Sequence, residues 1–405
     1  MKKNAVFEVR MKIHTYKSGE SIKDIAKKYG ISEECLRECN SIPAGEAAVG
    51  EELLIIVPTR TYTVARGDSL ERLCLRFGVR RIDILAQNPW VSECGLTPGK
   101  TLNLKCGERL YGTAPTNGYI YRGYDPRRLQ IMLPYLTYVT VGCATAEGDN
   151  IRFDFDDGEL VDHLKREAKI PLLRIYDKSE RRDYSSQERR LGFADRIVEA
   201  ASSHGYMGVV ISACNVSGGF GDYGEFLCGL RKAMIGCDLI LVTEVDASTP
   251  ADICELADGN ILSHPKYITD PKQSFEQGEK KCYLNHATSA ESAKTFIDIP
   301  SLAYAGGGFI PIEDALLEAR AHSAEIVTDE ITMISHFENK KRGRYDFPSL
   351  SSIKSTYEIL NEYGFMGASF DISRTPVSHL LMYNAYFRTA TATTARVVEG
   401  CAKRG

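Results

Sequence analysis

The amino-terminal quarter of the chain contains one segment twice, and this repeat constrains the fold more than any other feature. His14-Thr15-Tyr16-Lys17-Ser18-Gly19-Glu20-Ser21-Ile22 returns 48 residues later as Tyr62-Thr63-Val64-Ala65-Arg66-Gly67-Asp68-Ser69-Leu70. Ile25, Tyr29, Gly30 and Ile31 keep step with Leu73, Phe77, Gly78 and Val79, and Asn40 with Asn88. After one added residue, Gly50 and Leu53 match Gly99 and Leu102. Each copy predicts a small βααβ unit. A β-branched and aromatic strand opens it, and Ser21 or Ser69 caps the first helix. Ile22, Ile25, Ala26 and Tyr29 share one helix face, and Gly30 or Gly78 ends that helix. A second helix runs to the asparagine. Leu53–Val57 or Thr101–Leu104 closes the unit, and Pro58-Thr59-Arg60 links the two copies.

The repeat uses only part of the 405 residues, so two or three domains are expected. Hydrophobic residues at 43% and charged residues at 26% are ordinary for a globular protein. A net charge of -4 with no Lys/Arg block gives nucleic acid no electrostatic footprint. No apolar run is long enough to span a membrane. Glu8 and Arg10 interrupt what would be the apolar stretch of a signal peptide, so cytoplasmic synthesis without export is expected. Twelve cysteines are scattered singly, apart from Cys35 and Cys39. No Cys or His spacing suggests zinc, so no metal or cofactor is expected, and the thiols are expected to be reduced.

From Asn117 onward short apolar strands alternate with helices. Strands are expected at Tyr119–Tyr121, Tyr138–Gly142, Leu172–Tyr176, Gly208–Ala213, Leu239–Val245, Ile261–Ser263, Ile297–Tyr304 and Gly367–Phe370. Helices are expected at Glu159–Lys169, Ser186–Ser202, Tyr223–Met234, Ile312–Ala321, Leu350–Glu362 and Val377–Phe387. Eight strands with intervening helices predict an α/β fold, a (β/α)8 TIM barrel. Alternation alone leaves a doubly wound sheet open.

The repeat resembles the LysM domain, over residues 12–57 and 61–105. The resemblance implies binding of glycans containing N-acetylglucosamine, such as peptidoglycan or chitin. It places the ligand between the first strand–helix loop and the loop after the second helix. Those loops carry Lys17, Ser18, Gly19, Asn40 and Ser41 in the first copy, and Arg66, Gly67, Asp68, Asn88 and Trp90 in the second. Gly19, Gly67, Ser21 and Ser69 equally suit turn and cap roles, and Asn40 a structural one. Trp90, the only tryptophan, suits either stacking on a sugar or packing.

Several strings in residues 115–390 resemble glycoside hydrolase family 18. They are Asn117-Gly118-Tyr119-Ile120, Leu133–Val141, Ala146-Glu147-Gly148, Ile312-Glu313-Asp314-Ala315, Ala324–Glu330, Ser352-Ile353-Lys354 and Glu362–Ala368. Their order, behind tandem LysM units, is similar to the spore cortex-lytic N-acetylglucosaminidases and spore germination proteins. The resemblance implies spore coat or cortex as the location, with spore-coat proteins as candidate partners. In that family the fourth strand ends in D-G-x-x-I-D-x-E. The Glu protonates the glycosidic oxygen, and the Asp two residues earlier orients the acetamido group that acts as nucleophile, a route outside the two-carboxylate scheme.

Here the frame Gly205-Tyr206-Met207-Gly208-Val209 is intact but the acids are gone. Met207 stands at the first Asp, Ser212 at the second and Cys214 at the proton-donating Glu. The sixth strand, where the family has a Tyr, leads to Pro265, and the eighth ends in Ser369-Phe370-Asp371 where the family has a Trp. A thiol is a poor general acid near neutral pH, and losing general acid catalysis costs about 10²–10⁴ in rate. The reading is a glycan-binding protein with a non-catalytic barrel. The alternative is a glycosidase using relocated strand-end acids, with Glu244, Asp246 and Asp371 as the candidates and Asp177 also near a strand end.

Overall fold

The computed structural model describes residues 11–105, 111–178, 182, 184–214, 216, 220–246, 248–263, 290–340 and 342–392. In the first repeat unit, strands Met11–Thr15 and Glu52–Ile56 pair antiparallel, Met11 opposite Ile56. Between them lie helices Ile22–Tyr29 and Glu33–Cys39. Ser21 Oγ accepts the Asp24 amide at 3.1 Å, and Gly30 ends the helix in the left-handed region at φ 69°. The second unit repeats the plan with strands Arg60–Thr63 and Thr101–Lys105 and helices Leu70–Phe77 and Arg81–Gln87. It adds a third helix, Pro89–Cys94, which the sequence reading did not foresee. Pro89 opens that helix at a position needing no N–H, and Trp90 and Val91 bury on its inner side.

The two repeat asparagines hold their units shut. Asn40 Nδ2 donates to the carbonyls of Leu36 and Leu54, both at 2.9 Å, and its Oδ1 accepts the Leu54 amide at 2.7 Å. Asn88 does the same with Ile84 at 2.7 Å and with Asn103, whose carbonyl and amide both lie at 2.8 Å. Each side chain thus ties a helix end to the closing strand.

Eight parallel strands form a closed barrel. They are β1 (Thr116–Tyr121), β2 (Tyr138–Glu147), β3 (Ile170–Asp177), β4 (Gly208–Ser212), β5 (Ile240–Val245), β6 (Gly259–Leu262), β7 (Thr295–Asp298) and β8 (Gly367–Asp371). Closure is complete because β1 pairs with both β2 and β8, which excludes the doubly wound sheet. Alternate residues point inward. Tyr119, Tyr138, Ile170, Leu172, Val210, Val242, Ile261 and Phe296 fill the interior as one apolar cluster. The outward residues, such as Val209, Leu241 and Phe370, join the larger core beneath the helices.

One expected strand divides. Ile297–Tyr304 is not a single strand, because β7 stops at Asp298 and a new strand, Leu302–Ala305, starts after Pro300. The second strand belongs to a lobe inserted between β7 and the helix Leu350–Glu362. It is a five-stranded antiparallel sheet with Gly308–Pro311, Val327–Thr328, Ile334–Asn339 and Gly343–Pro348. The helix Ile312–Ala321 has the expected bounds, yet it covers this lobe, burying Ala315 and Ala319 with Phe337 and Tyr345.

The first repeat unit is docked on the lobe. Arg320 donates to Glu51 at 2.6 and 3.0 Å and to the carbonyls of Ser41 and Asn40 at 2.8 and 3.1 Å. Ser41 Oγ donates to Glu313 at 2.8 Å, and Ile326 N donates to the Val49 carbonyl at 2.7 Å. The second unit rests on the barrel itself, where Tyr135 Oη donates to the Ala86 carbonyl at 2.8 Å.

Candidate functional site

The carboxyl ends of the strands are where a (β/α)8 barrel places its chemistry. Ser212 ends β4 facing inward, and Cys214 follows two residues later. A cavity of about 520 Å³ opens here, bordered by Arg174, Tyr176, Asp177, Ser212, Cys214 and Glu244 among others. Ser212 and Cys214 share this one cavity. Met207 does not reach it. It precedes β4 at the opposite end and packs on the interior apolar cluster.

Cys214 is a protonated, poorly acidic thiol. Burial, then the charge of Asp246, pushes its pKa up to about 11. Its Sγ lies 3.7 Å from the Glu244 carbonyl oxygen and 3.9 Å from Ser263 Oγ, and its amide donates to Ser212 Oγ at 3.2 Å. Among the described residues no histidine borders the cavity. His204 instead stacks on Phe153 at 3.6 Å and bonds Asp157 at 2.8 Å in the outer layer. His264 and Pro265 lie outside the described residues. Among the described residues Cys214 thus has no histidine beside it to act as an activating base, and its raised pKa makes it a poor proton donor.

Of Glu244, Asp246 and Asp371, Glu244 borders this cavity, and it is tied down. Arg174 Nε and Nη2 donate to its two oxygens at 2.6 and 2.9 Å, a bidentate geometry, and Tyr119 Oη donates at 2.8 Å. The neighbouring carboxylate is the principal influence holding the Arg174 guanidinium charged against burial. Three donors thus hold the Glu244 carboxylate in one fixed position. Asp246 lies past β5 and folds its own turn, accepting Ser248 N at 2.8 Å and Ser248 Oγ at 2.6 Å. Asp371 ends β8, accepts Ser373 N at 2.9 Å and pairs with Arg374 at 3.3 Å. Burial raises its carboxyl pKa. Neither Asp246 nor Asp371 borders the cavity holding Cys214. Asp177 does, and it pairs with Arg182.

Sequence reading missed Arg174 and Tyr119, the partners of Glu244. The signal was present in Leu172-Leu173-Arg174-Ile175, where one charge interrupts an apolar strand at an inward position. It also missed Tyr121, which lies across Gly142. A Cβ there would stand 2.7 Å from the Tyr121 ring, so the glycine makes room for it.

In the repeat units the expected glycan residues separate into two groups. Lys17, Ser18, Gly19, Arg66 and Gly67 are exposed on the first loops, with Gly19 and Gly67 at φ 83° and 86°. Asp68 and its counterpart Glu20 brace those loops, Asp68 accepting Ala65 N at 2.7 Å and Glu20 accepting Lys17 N at 2.9 Å. The remainder are engaged inside the protein. Asn40 and Asn88 have both amide protons committed to carbonyls, as above, and Ser41 bonds the lobe. Trp90 is 7% exposed in the core of its unit, with Lys100 Nζ 4.8 Å from its ring centroid. Trp90 packs in the apolar cluster of its unit, with Lys100 over its ring. Among the described residues no group of three or more His, Cys, Asp or Glu is arranged to hold a metal ion. No helix among them is long and apolar enough to cross a membrane.

The LysM domain family model matches residues 14–55 and 62–105, so the repeat units are two LysM domains. Over nearly the whole chain the fold is that of the spore cortex-lytic enzyme SleL. The Bacillus cereus structure superposes with a TM-score of 0.72 at 16% identity, covering 95% of this chain and all of that one. The Bacillus megaterium QM B1551 structure gives 0.73 at 16% identity, covering 94% and 99%. The protein is therefore two LysM domains ahead of a closed eight-stranded barrel with the fold of the SleL structures. YdhD of Bacillus subtilis (strain 168), provisionally named a sporulation-specific glycosylase, is 25% identical over 256 residues. The chain spans about 60% of the length of that curated relative.

Proposed function

We propose that this protein binds peptidoglycan, or a related glycan containing N-acetylglucosamine, through its LysM domains, and that its barrel does not hydrolyse the chain. The family resemblance of the LysM domains supports the binding half. The exposed loops Lys17–Gly19 and Arg66–Gly67 are the surfaces assigned to it. The observation that carries the second half is Cys214. Where the barrel family has a carboxylic acid, this chain has a thiol of raised pKa, and Glu244, a carboxylate of the same cavity, is held by Arg174 and Tyr119. The names of SleL and YdhD, both tied to the spore or to sporulation, support a spore-associated location, with spore-coat proteins as candidate partners.

Purified protein incubated with spore cortex peptidoglycan tests both halves. Pelleting with the glycan and no new reducing ends is the expected result. A Cys214→Glu, Ser212→Asp variant that produces reducing ends would place the defect in the missing acids. Reducing ends from the unaltered protein, abolished by Glu244→Gln, Asp246→Asn or Asp371→Asn, would overturn the reading in favour of relocated catalysis.

A further inference from the structure

The one cysteine pair of the sequence meets at a junction. Cys35 and Cys39 lie four residues apart on the helix Glu33–Cys39, hence on one face, and both border a cavity of about 230 Å³. This cavity is closed by three parts of the molecule: the first LysM domain, the second through Trp90, Lys100 and Asn103, and the barrel helix Val377–Tyr386 through Leu381. Cys35 is half-buried and Cys39 buried. Asn103 Nδ2 reaches across from the second domain to Cys35 Sγ at 3.8 Å. Hydrogen bonding, from the Cys39 thiol foremost and then from Asn103, outweighs burial and lowers the Cys35 pKa. Two carboxylates, Glu34 and Glu38, stand beside the thiols against the single ammonium of Lys100, at 2.8 and 3.1 Å.

We propose that Cys35 and Cys39 form a thiol–disulfide exchange site that takes small cationic disulfides at the junction of the LysM domains and the barrel. Cys35 attacks as thiolate, because its sulfur is the more accessible and accepts the two hydrogen bonds. Its Sγ bonds to one sulfur of RS–SR, the S–S bond breaks, and RS⁻ leaves and takes up the proton that Cys35 released. Cys39 Sγ then displaces the second RS⁻ from the mixed disulfide, giving it the Cys39 proton. Two protein thiols become one disulfide, and the small disulfide is reduced to two thiols. Cα atoms four residues apart on a helix lie about 6 Å from each other, within the roughly 4.4–6.8 Å that disulfides span, whereas the Cβ atoms, about 5–6 Å apart, must close to about 3.5–4.5 Å. Cys39 is the last residue of its helix, so closing the bond distorts the terminal turn, against the hold that Asn40 has on Leu36 and Leu54. Oxidation turns the Cys35 sulfur that Asn103 contacts into a disulfide sulfur and alters the surroundings of Trp90, the only tryptophan in the chain.

The test is reaction of the whole protein with cystamine, a small dicationic disulfide, followed by peptide mapping and tryptophan fluorescence. The expected product is a Cys35–Cys39 disulfide, formed with a change in Trp90 emission. Cys39→Ser should trap a stable adduct on Cys35, and Cys35→Ala should lose both the adduct and the emission change. Oxidised glutathione, an anion, should react more slowly than cystamine at Cys35. Should Cys39→Ser not keep its native circular dichroism, the wild-type peptide map decides alone. Cys35 and Cys39 both still reduced after the exposed Cys94 and Cys237 have reacted would overturn the proposal. So would a wild-type adduct on Cys35 that Cys39 never resolves.

Discussion

Arg320 and Glu51 form a buried ion pair that joins a LysM domain to the lobe inserted in the barrel. Their side chains are 8% and 2% exposed, and Arg320 grips both carboxylate oxygens. Arg320 also holds the carbonyls of Asn40 and Ser41, so one guanidinium supplies four hydrogen bonds of the contact. Arg320→Ala would leave Glu51 buried without its partner, a situation that costs about 3–5 kcal/mol. The variant should unfold at lower urea concentration. It should also release the first LysM domain to limited proteolysis near Pro58-Thr59-Arg60 before the barrel is cut.

Much of this arrangement was legible in the sequence, for physical reasons that differ by region. The LysM units announced themselves because caps, glycine stops and asparagine brackets are local features whose residue types are dictated by backbone geometry. The barrel strands were legible as short apolar runs alternating with helices. The inserted lobe was not, because Ile297–Tyr304 keeps an apolar character across Pro300, and nothing local separates a barrel strand from the lobe strand after it. Cys214 could be placed because Gly208 fixes the frame. A Cβ at Gly208 would stand 2.4 Å from Ile240, so the glycine is required where β4 and β5 meet. The Arg174–Glu244 pair was hidden, since its members are 70 residues apart and only the closed barrel brings them together.

The asparagine brackets predict equal losses in two places. Asn40→Ala and Asn88→Ala each remove three hydrogen bonds inside a LysM domain and leave buried carbonyls unpaired. With about 1 kcal/mol net for each bond, a loss on the order of 3 kcal/mol is expected from each. Glycan pelleting should fall only where the domain itself unfolds, which amide exchange in each LysM domain would show. Loss of pelleting with full protection retained would instead make these amides direct ligands.

Lys169 gives stability a pH dependence of known sign. It is 7% exposed, donates to the Leu136 carbonyl at 2.8 Å, and burial pushes its pKa down to about 8. An unfolded lysine titrates near 10.4. Between those values the unfolded chain holds the extra proton, so stability rises with pH across that window. Below about pH 8 both states are protonated and the full penalty of burying the charge is present. Lys169→Met removes the titration. Its stability gain over the wild type should therefore be largest at pH 7 and shrink by about 3 kcal/mol by pH 10.5, measured by urea unfolding at each pH.

Gly50 and Gly99 occupy the same place in the two repeats and separate local strain from docking. Both take left-handed conformations, φ 84° and 89°. A Cβ at Gly99 meets open space, whereas one at Gly50 would stand 1.8 Å from the Ile326 carbonyl oxygen. Gly99→Ala should therefore cost only the left-handed penalty of about 1–2 kcal/mol. Gly50→Ala carries the same penalty and also drives backbone into backbone, which no rotamer change relieves. The chain can escape by moving the first LysM domain off the lobe, breaking the Val49–Ile326 hydrogen bond and the Arg320–Glu51 pair together. Proteolysis of the two variants should accordingly differ in kind. Gly99→Ala should stay resistant under native conditions, and Gly50→Ala should be cut between its LysM domains. Equal resistance in both would mean that the contact at Ile326 yields without undocking.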